Sequence, residues 1–209
     1  MILKNGYWWP DDDKECWPRL YEVADIQFAL QYVKNRDTVV QAGGNCGQWP
    51  IALAAEGFKA VYTFEPDPNN FECLLKNVAE KSNQEVIHTY GVGLGAVPGG
   101  KASLTKWENN VGAHYITPDS TDGDVNLVCI DELKLEACDL LILDIEGFEP
   151  FALRGAEETI KKFSPVIMFE EKGLSERYDC PKGTCERYLQ QFGYKTKKAV
   201  HRDLIMVRT

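Results

Sequence analysis

The sequence lacks three features that would place it at a membrane or on a nucleic acid. It has no run of about 18 apolar residues, the length that a membrane-spanning helix needs. Its opening, MILKNGYWWP, shows no basic head followed by an apolar stretch and a cleavage site, so we expect a cytoplasmic chain. It has no excess of basic residues, because 32 acidic and 23 basic side chains leave a net charge of −9, which repels phosphate backbones and anionic lipids. We therefore expect a small-molecule partner, with no nucleic acid and no membrane, while the oligomeric state stays open.

Cysteine pairs and metal-binding clusters are also scarce. The seven cysteines are an odd number scattered through apolar segments, which is typical of reduced thiols rather than of a disulfide framework. Cys180 and Cys185 are close in sequence, but no second pair or matching histidine completes a four-ligand site. The sequence therefore predicts no structural metal.

Two phosphate-binding motifs are missing as well. The pattern G-x-G-x-x-G fails because Asn45 or Cys46 stands where the second glycine would follow Gly43 or Gly44. The pattern G-x-x-x-x-G-K-[ST] is absent too. These absences disfavour a dinucleotide or a nucleoside triphosphate that is held by its phosphates.

What the sequence does contain is the pattern of a folded α/β protein. A chain of 209 residues with 44% hydrophobic and 26% charged residues is long enough for one domain with a substantial core. Short apolar runs alternate with segments of helical period, which predicts a mostly parallel, doubly wound sheet with helices on both faces. The predicted strands are 38–42, 60–64, 85–90, 139–143 and 165–169, and the predicted helices are 20–33, 50–56, 70–80 and 150–163.

Two segments interrupt this alternation. Residues 1–18 carry three tryptophans and no sustained period, which predicts an arm lying over the domain. The insertion 101–132 contains two short strand-like runs, 101–106 and 124–130. Because long loops in compact domains usually serve a function, its polar middle suits a lid over a substrate.

The last segments predict a hairpin. The runs 194–200 and 204–208 are separated by three residues, so the pair would add an antiparallel strand to the sheet. We divide the chain into an N-terminal arm and helix, 1–37, and a ligand-binding domain, 38–209.

Chemistry is expected at the ends of the predicted strands, because doubly wound sheets bind ligands beyond the carboxyl ends of their strands. The first strand ends at Gly43-Gly44, where the missing Cβ atoms let the backbone approach a ligand. Glu65 follows the second strand 22 residues after Gly43, a spacing suited to accepting both hydroxyls of a ribose. Since the phosphate motifs are absent, a cofactor with a ribose and no phosphate, such as S-adenosylmethionine, fits best.

Several segments together resemble the FkbM-type S-adenosylmethionine-dependent methyltransferases. They are V-V-Q-A-G-G-N-C-G at 39–47, F-E-P-D-P at 64–68, L-D-I-E-G at 143–147 with Glu149, L-R-G-A at 153–156, and Pro165 with Phe169-Glu170. The resemblance implies a Rossmann-like methyltransferase fold, a mostly parallel sheet with an antiparallel C-terminal strand. It also implies S-adenosyl-L-methionine as the cofactor and O-methylation of a hydroxyl on a sugar or small metabolite.

The resemblance further implies the cofactor contacts, with Gly43, Asn45 and Gly47 at the methionine end and Glu65 at the ribose. The family usually has an acidic residue where this chain has Gln41, and a Ser or Thr where it has Pro50. Gln41 can accept a hydrogen bond but cannot neutralise the ammonium group of the cofactor. The full set of expected cofactor-binding residues is Gln41, Gly43, Gly44, Asn45, Gly47, Glu65, Pro66, Gly93 and Asp144.

Methyl transfer to a hydroxyl needs alignment of the reacting atoms and a base that takes the proton. Asp144, after the fourth strand, is the candidate base, with Glu146 as a second carboxylate or orienting partner. His114, in the insertion, is a further candidate base or substrate contact. Asp144, Glu146 and Glu170 could also hold a divalent cation, but no further ligands are identifiable and we expect no metal.

Two other functions stay open at this point. A nicotinamide-dependent oxidoreductase would share Glu65 but needs the missing glycine motif, so NAD binding would identify it. A catalytically silent nucleoside-binding module of the same fold is compatible with Gln41 and Pro50, and an absence of turnover would identify it.

Overall fold

Strands and helices alternate through the central part of the chain, as the hydrophobic pattern predicts. The computed structural model describes residues 1–13, 20–82, 84–118 and 122–209, with the backbone alone for 20–23. Cys16 and Trp17 of the predicted arm lie outside these ranges. The strands are β1 (Ile2–Lys4), β2 (Tyr7–Trp9), β3 (Thr38–Ala42), β4 (Ala60–Phe64), β5 (Ile87–Tyr90), β6 (Gly93–Leu94), β7 (Lys101–Thr105), β8 (Tyr115–Pro118), β9 (Val125–Val128), β10 (Leu140–Leu143), β11 (Val166–Glu170), β12 (Tyr194–Val200) and β13 (Asp203–Arg208). The α-helices are α1 (Leu20–Leu30), α2 (Gln48–Ala55), α3 (Pro68–Lys81), α4 (Glu149–Arg154), α5 (Glu157–Phe163) and α6 (Thr184–Gln190).

The central sheet has seven strands in the order β12, β13, β11, β10, β3, β4, β5. The five strands from β11 to β5 in this order are parallel to one another. β13 is antiparallel to both β11 and β12, so the predicted hairpin inserts one antiparallel strand into the sheet. The chain order reverses between β10 and β3, and this is the place where such sheets bind ligands. The predicted α/β fold class is confirmed.

The core lies on both faces of this sheet because the central strands are apolar on both sides. In β10, Leu141 and Leu143 face one apolar cluster, which also contains residues of α4, α5 and α6. Leu140 and Ile142 face the other, which contains residues of α1, α2 and α3. All four leucine and isoleucine side chains are buried. No helix in the described ranges is both long and apolar enough to span a membrane.

The predicted helix 150–163 is divided into α4 and α5. Gly155 sits at the division, where an added Cβ would lie 2.0 Å from the carbonyl oxygen of Gly95. The Asp131 side chain accepts hydrogen bonds from the backbone N–H groups of Glu158 at 3.0 Å and Thr159 at 2.8 Å, which caps the second helix. The cap comes from a residue more than 25 positions away, which local periodicity cannot show.

The insertion forms a small sheet of its own. Its strand order is β6, β9, β7, β8, with β7 antiparallel to both of its neighbours. The predicted runs 101–106 and 124–130 correspond to β7 and β9, whereas β6 and β8 were not predicted. The two strands predicted for the insertion are therefore part of a larger folded element at the carboxyl ends of the central strands.

The start of the chain forms a hairpin, β1–β2, where an arm without regular structure was expected. Asn5 and Gly6 both have positive φ, 50° and 79°, which matches a two-residue hairpin turn. The Asn-Gly pair is the sequence signal that identifies such a turn. Buried Asn77 of α3 accepts a hydrogen bond from the Trp8 N–H and donates to the carbonyls of Trp8 and Cys46, which joins the hairpin to the domain.

Candidate active site

A cavity of about 400 Å³ lies at the carboxyl ends of the parallel strands. Its walls come from the loops after β3, β4, β5, β10 and β11, from the insertion sheet, and from Trp9 of the hairpin. The expected site residues that line it are Gly43, Gly44, Asn45, Glu65, Pro66, Gly93, His114, Asp144 and Glu146. Gln41 and Gly47 are not among its lining residues.

The glycine turn after β3 is set by close packing as well as by access to the cavity. Gly43 has a φ of 85°, and a Cβ there would lie 1.9 Å from the carbonyl oxygen of Asp144. A Cβ on Gly44 would lie 2.6 Å from Leu74 and 2.8 Å from the Thr63 hydroxyl. Gly43 therefore lets β3 approach the end of β10, and Gly44 lets the turn approach β4 and α3.

Gln41 lies beneath this turn and holds it from inside. Its amide Nε2 donates to the carbonyl of Gly43 at 2.9 Å, and its Oε1 accepts from the Thr63 hydroxyl at 2.5 Å. A carboxylate cannot donate to the Gly43 carbonyl, so the amide does what an acid at this position could not. Pro50 lies in the first turn of α2, where a missing N–H breaks no helical hydrogen bond.

Gly47 also supports the turn from outside the cavity. It has a φ of 92° and precedes α2, and a Cβ added to it would lie 3.5 Å from the backbone of Leu74 in α3. Direct cofactor contact was predicted for both Gln41 and Gly47 and stays a prediction; in the structure both residues shape the loop, and neither lines the cavity.

Glu65 is buried at the end of β4 and is bonded to the glycine turn. Its Oε2 accepts the N–H of Asn45 at 2.7 Å and its Oε1 accepts the N–H of Asp67 at 2.9 Å. Burial raises the pKa of Glu65 to about 7, although these two hydrogen bonds oppose the rise. The carboxylate thus links the loops after β3 and β4 and faces the cavity between them.

Asp67, two residues further on, anchors the insertion sheet. It caps α3, and its Oδ2 lies 2.9 Å from His114 Nδ1 and 3.2 Å from Lys106 Nζ. Burial alone would raise the pKa of Asp67, but hydrogen bonds from His114, the helix N–H groups and Lys106 lower it to about 2. Asp67 is therefore a permanent negative charge under the lid.

His114 is held at both of its ring nitrogens. Nδ1 is bonded to Asp67, and Nε2 lies 3.3 Å from the carbonyl oxygen of Trp107. Both partners are acceptors, so each nitrogen is a donor when both bonds form. This geometry fastens the insertion to the start of α3 and directs both ring nitrogens at acceptors within the protein.

Three carboxylates gather on the other side of the cavity. One oxygen each from Asp144, Glu146 and Glu170 lies within 4.8 Å of the other two, close enough to share a cation. Lys172 makes ion pairs with Glu170 and, at 3.5 Å, with Glu146. Burial and the neighbouring Glu170 hold the pKa of Asp144 well above its usual range, and burial raises the pKa of Glu170 to about 7. The cluster therefore places negative charge at the cavity, and the raised pKa of Asp144 allows this carboxyl group to exchange a proton.

Glu149 shapes the turn that carries these carboxylates. Its Oε1 accepts the N–H of Ile145 at 3.0 Å and the N–H of Gly147 at 3.2 Å. Within this turn Glu146 has a φ of 54° and Gly147 a φ of 101°, so the turn needs such support. Burial raises the pKa of Glu149 to about 8. The last residue of the D-I-E-G-x-E segment, Glu149, thus stabilises the turn formed by the residues before it.

Two buried polar atoms at the cavity were not predicted as site groups. Gln48 Nε2, at the start of α2, and Asn70 Oδ1, in the first turn of α3, have no hydrogen-bond partner within the described ranges. Both residues line the cavity. Sequence reasoning had no signal for them, because a helical asparagine or glutamine looks like a surface residue until the fold buries it.

Comparison with known families shows to which family this chain is related. A family model described as the methyltransferase FkbM domain matches residues 41–196. The chain belongs to the FkbM methyltransferase family. The resemblance carried by the segments from the glycine turn to β11 is therefore confirmed, while no curated protein sequence matches this family member significantly.

Solved structures show the same fold in proteins of different function. An FkbM methyltransferase from Methylobacillus flagellatus matches with a TM-score of 0.54 at 18% identity, covering 90% of this chain and 52% of that one. This FkbM-family chain thus spans about half the length of that relative. A precorrin 8W decarboxylase from Methanobacterium thermoautotrophicum matches over 100% of both chains with a TM-score of 0.59 at 13% identity. An rRNA methylase from Streptococcus thermophilus matches with a TM-score of 0.51 at 11% identity, covering 88% of this chain and 94% of that one. At these identities the matches show the fold alone.

Proposed function

We propose that this FkbM-family chain is an S-adenosylmethionine-dependent O-methyltransferase that acts on a hydroxyl of a sugar or another small metabolite. One observation carries the proposal: Glu65 and the Asp144 cluster line the same cavity on opposite sides of β3. Because neighbouring strands lie about 4.8 Å apart, the two carboxylates are separated by roughly 10 Å along the edge of the sheet. That span separates a nucleoside site from a methyl-transfer site.

The residues at the cavity fit this cofactor. Each oxygen of Glu65 accepts one N–H and keeps a second lone pair, which allows two bonds from ribose hydroxyls. Gln48 offers an unpaired N–H donor, among the described residues, beside the N-terminus of α2, where a carboxylate is stabilised. The three carboxylates of Asp144, Glu146 and Glu170 offer negative charge to an ammonium or sulfonium group, which supports binding although Gln41 is uncharged.

When bound, S-adenosylmethionine supplies a methyl group on a positively charged sulfur. Asp144 is placed to take the proton of the acceptor hydroxyl, since its side chain lines the cavity beside the glycine turn. Its raised pKa makes the ionised form a stronger base than an exposed aspartate. Lys172 holds Glu146 and Glu170 in place, and Glu146 is positioned to orient the acceptor. Most of the acceleration is then expected from alignment of the acceptor oxygen.

The insertion sheet serves as the lid in this proposal. Residues from Asn110 to Ile116 line the cavity, and His114 ties them to Asp67. A cover of this kind keeps bulk water away from the reacting atoms. His114 is accordingly a positioning residue in our proposal, in place of the base considered from the sequence.

The cavity walls support a small acceptor. Trp9, Trp49 and Tyr115 contribute aromatic surface, and numerous carboxylate, amide and cationic side chains contribute polar groups, a combination that suits a small polar molecule such as a sugar. The net charge of −9 disfavours an RNA acceptor. The cofactor and the acceptor class are tested together in two steps.

The first step is calorimetric titration with S-adenosylhomocysteine, with NAD in parallel. We expect micromolar binding of the former and none of the latter. Glu65→Ala should weaken binding by about 1.5 to 3 kcal/mol for each of the two charge-assisted bonds lost, whereas exposed Glu72→Ala should bind as the parent does. Binding of NAD alone, or equal binding by Glu65→Ala and the parent, would contradict the proposal.

The second step is transfer of a labelled methyl group from S-adenosylmethionine to a panel of monosaccharides and other polyols. Label in a methyl ether supports the proposed reaction. Tight binding of S-adenosylhomocysteine together with no transfer to any hydroxyl would favour the silent module of the same fold.

A further inference from the structure

Asn70 lines the cavity, and one of its two side-chain polar atoms has no hydrogen-bond partner among the described residues. It lies in the first turn of α3 and is 1% exposed. Its Nδ2 donates to the carbonyl oxygen of Val111 in the lid at 3.1 Å. Only the amino end of an amide can donate to a carbonyl, so this bond fixes which end carries Oδ1.

The oxygen end of the same amide is the unusual one. Oδ1 is buried and has no hydrogen-bond partner in the part of the chain that the structure describes. Buried acceptors in folded proteins nearly always have a partner, and Asn70 lines the cavity. A donor on a bound ligand would complete the group.

The location of Asn70 indicates which half of a ligand it meets. Its backbone N–H donates to Asp67, whose own N–H donates to Glu65, so the three residues form one hydrogen-bonded segment at the end of β4. The Asp144 cluster lies beyond β3, on the other side of the cavity.

We propose that Asn70 is a nucleoside-binding residue whose Oδ1 accepts a hydrogen bond from the amino group of the base, because in the proposed function Glu65 accepts the single proton of each ribose hydroxyl. The inference rests on the proposed function. Nδ2 of the same amide donates to the carbonyl oxygen of Val111 in the lid. A ligand bonded to Oδ1 would therefore also fix the orientation of the amide that holds the lid.

The test uses nucleosides that lack the amino-acid half. Calorimetry measures binding of 5′-methylthioadenosine, its 2′-deoxy and 3′-deoxy analogues, and 5′-methylthioinosine, in which a carbonyl oxygen replaces the amino group. The proteins are the parent, Asn70→Leu, which removes the acceptor at similar volume, and Asn70→Asp, which keeps an acceptor oxygen. The matched control is Asn69→Leu, the same substitution at the exposed neighbour.

We expect the analogue that lacks the bonded donor to bind the parent and Asn69→Leu about tenfold more weakly than 5′-methylthioadenosine, as for the loss of one hydrogen bond. The deoxy analogues lose the bonds to Glu65 and should lose affinity to the same extent in the parent and in Asn70→Leu, whereas loss with the inosine analogue reports the bond to Asn70. Asn70→Leu should bind that analogue and 5′-methylthioadenosine equally, and Asn70→Asp should keep the difference even if Asn70→Leu does not fold.

Three results would overturn the inference. The first is an Asn70→Leu protein that binds 5′-methylthioadenosine as tightly as the parent. The second is an Asn70→Leu protein that keeps every analogue difference of the parent, or an Asn70→Asp protein that loses them. The third is weakened binding of S-adenosylhomocysteine with unchanged binding of 5′-methylthioadenosine, which would assign Asn70 to the amino-acid half. Failure of the proposed function is distinguishable, because the parent itself would then bind neither ligand.

Discussion

Asp144 illustrates how the surroundings of one side chain set its chemistry. It is a half-buried carboxyl group near Glu146 and Glu170, with Lys172 beside these two. Burial and the charge of Glu170 hold the pKa of Asp144 above its usual range. Only the ionised form accepts a proton, so activity should rise with pH through the raised pKa and then level off.

Asp144→Asn is the variant that tests this role. The amide has the same size but cannot take a proton, so we expect kcat to fall about 10² to 10⁴-fold while S-adenosylhomocysteine binds within a few-fold of the parent. Steady-state kinetics over a pH series and calorimetry provide the two measurements. Asp37→Asn, in an ion pair with Lys59 before β3, is the control and should retain the parent kcat. An unchanged kcat in Asp144→Asn would remove Asp144 as the base.

At the residue scale, the expectation that ligands bind beyond the carboxyl ends of the strands predicted much of the site. It did not predict the side-chain hydrogen bonds that join different segments. Gly43, Glu65 and Asp144 come together because the carboxyl ends of parallel strands meet at one edge. The inward hydrogen bonds of Gln41 and the open Oδ1 of Asn70 depend on neighbours that only the packed fold supplies. No local pattern distinguishes these amides from exposed ones.

At the scale of elements, the turn after β10 shows how one buried acid supports a loop of strained backbone. Glu149 is 2% exposed and accepts two backbone N–H groups of the turn. Burial raises its pKa from 4.5 to about 8. Folding therefore favours the protonated form, so this contribution to stability is full below about pH 4.5 and is lost as the pH rises toward 8.

Glu149→Gln should flatten that dependence. The amide oxygen still accepts both N–H groups and carries no charge to bury, so the free energy of unfolding should decline less between pH 5 and 8 than in the parent. One titrating group changes the slope by at most about 1.4 kcal/mol per pH unit. Urea unfolding at pH 5, 6.5 and 8 measures it.

The control for this variant is Glu132→Gln. Glu132 is an exposed carboxylate that accepts the N–H of Cys129, so the same substitution there should leave the parent slope unchanged. Equal slopes for Glu149→Gln and the parent would contradict the assignment of a buried, proton-binding carboxyl to this turn.

Hydrophobic pattern predicted the elements that depend on local sequence. The five parallel strands and the terminal hairpin follow from continuous apolar runs and a short connection. Strands β6 and β8 were missed because they are short and gain stability from pairing within the insertion sheet. The division between α4 and α5 was missed because Gly95 and Asp131 act on it from other segments.

At the scale of the whole molecule, the net charge bears on the class of partner that the chain binds. The net charge is −9. The exposed cations Lys195 and Lys197 lie on β12, the edge strand of the sheet, where charged side chains discourage pairing with other sheets. Lys198, on the same strand, lies 3.5 Å from the ring centre of Phe28. These cations therefore have structural reasons to be present on this strand.

The charge predicts which molecules receive the methyl group when both classes compete. Proteins that bind nucleic acid gain affinity by releasing counterions from phosphates, and a chain with nine excess negative charges loses that gain. We expect label from methyl-labelled S-adenosylmethionine, incubated with total RNA and a metabolite extract at about 50 mM salt, to enter the small-molecule fraction. The low salt favours RNA, so the condition is the harder one for the prediction. Asp144→Asn should label neither fraction, which separates turnover by this site from a contaminating activity. Label in RNA with the parent, absent with Asp144→Asn, would reverse the assignment of the acceptor while leaving the cofactor and the base in place.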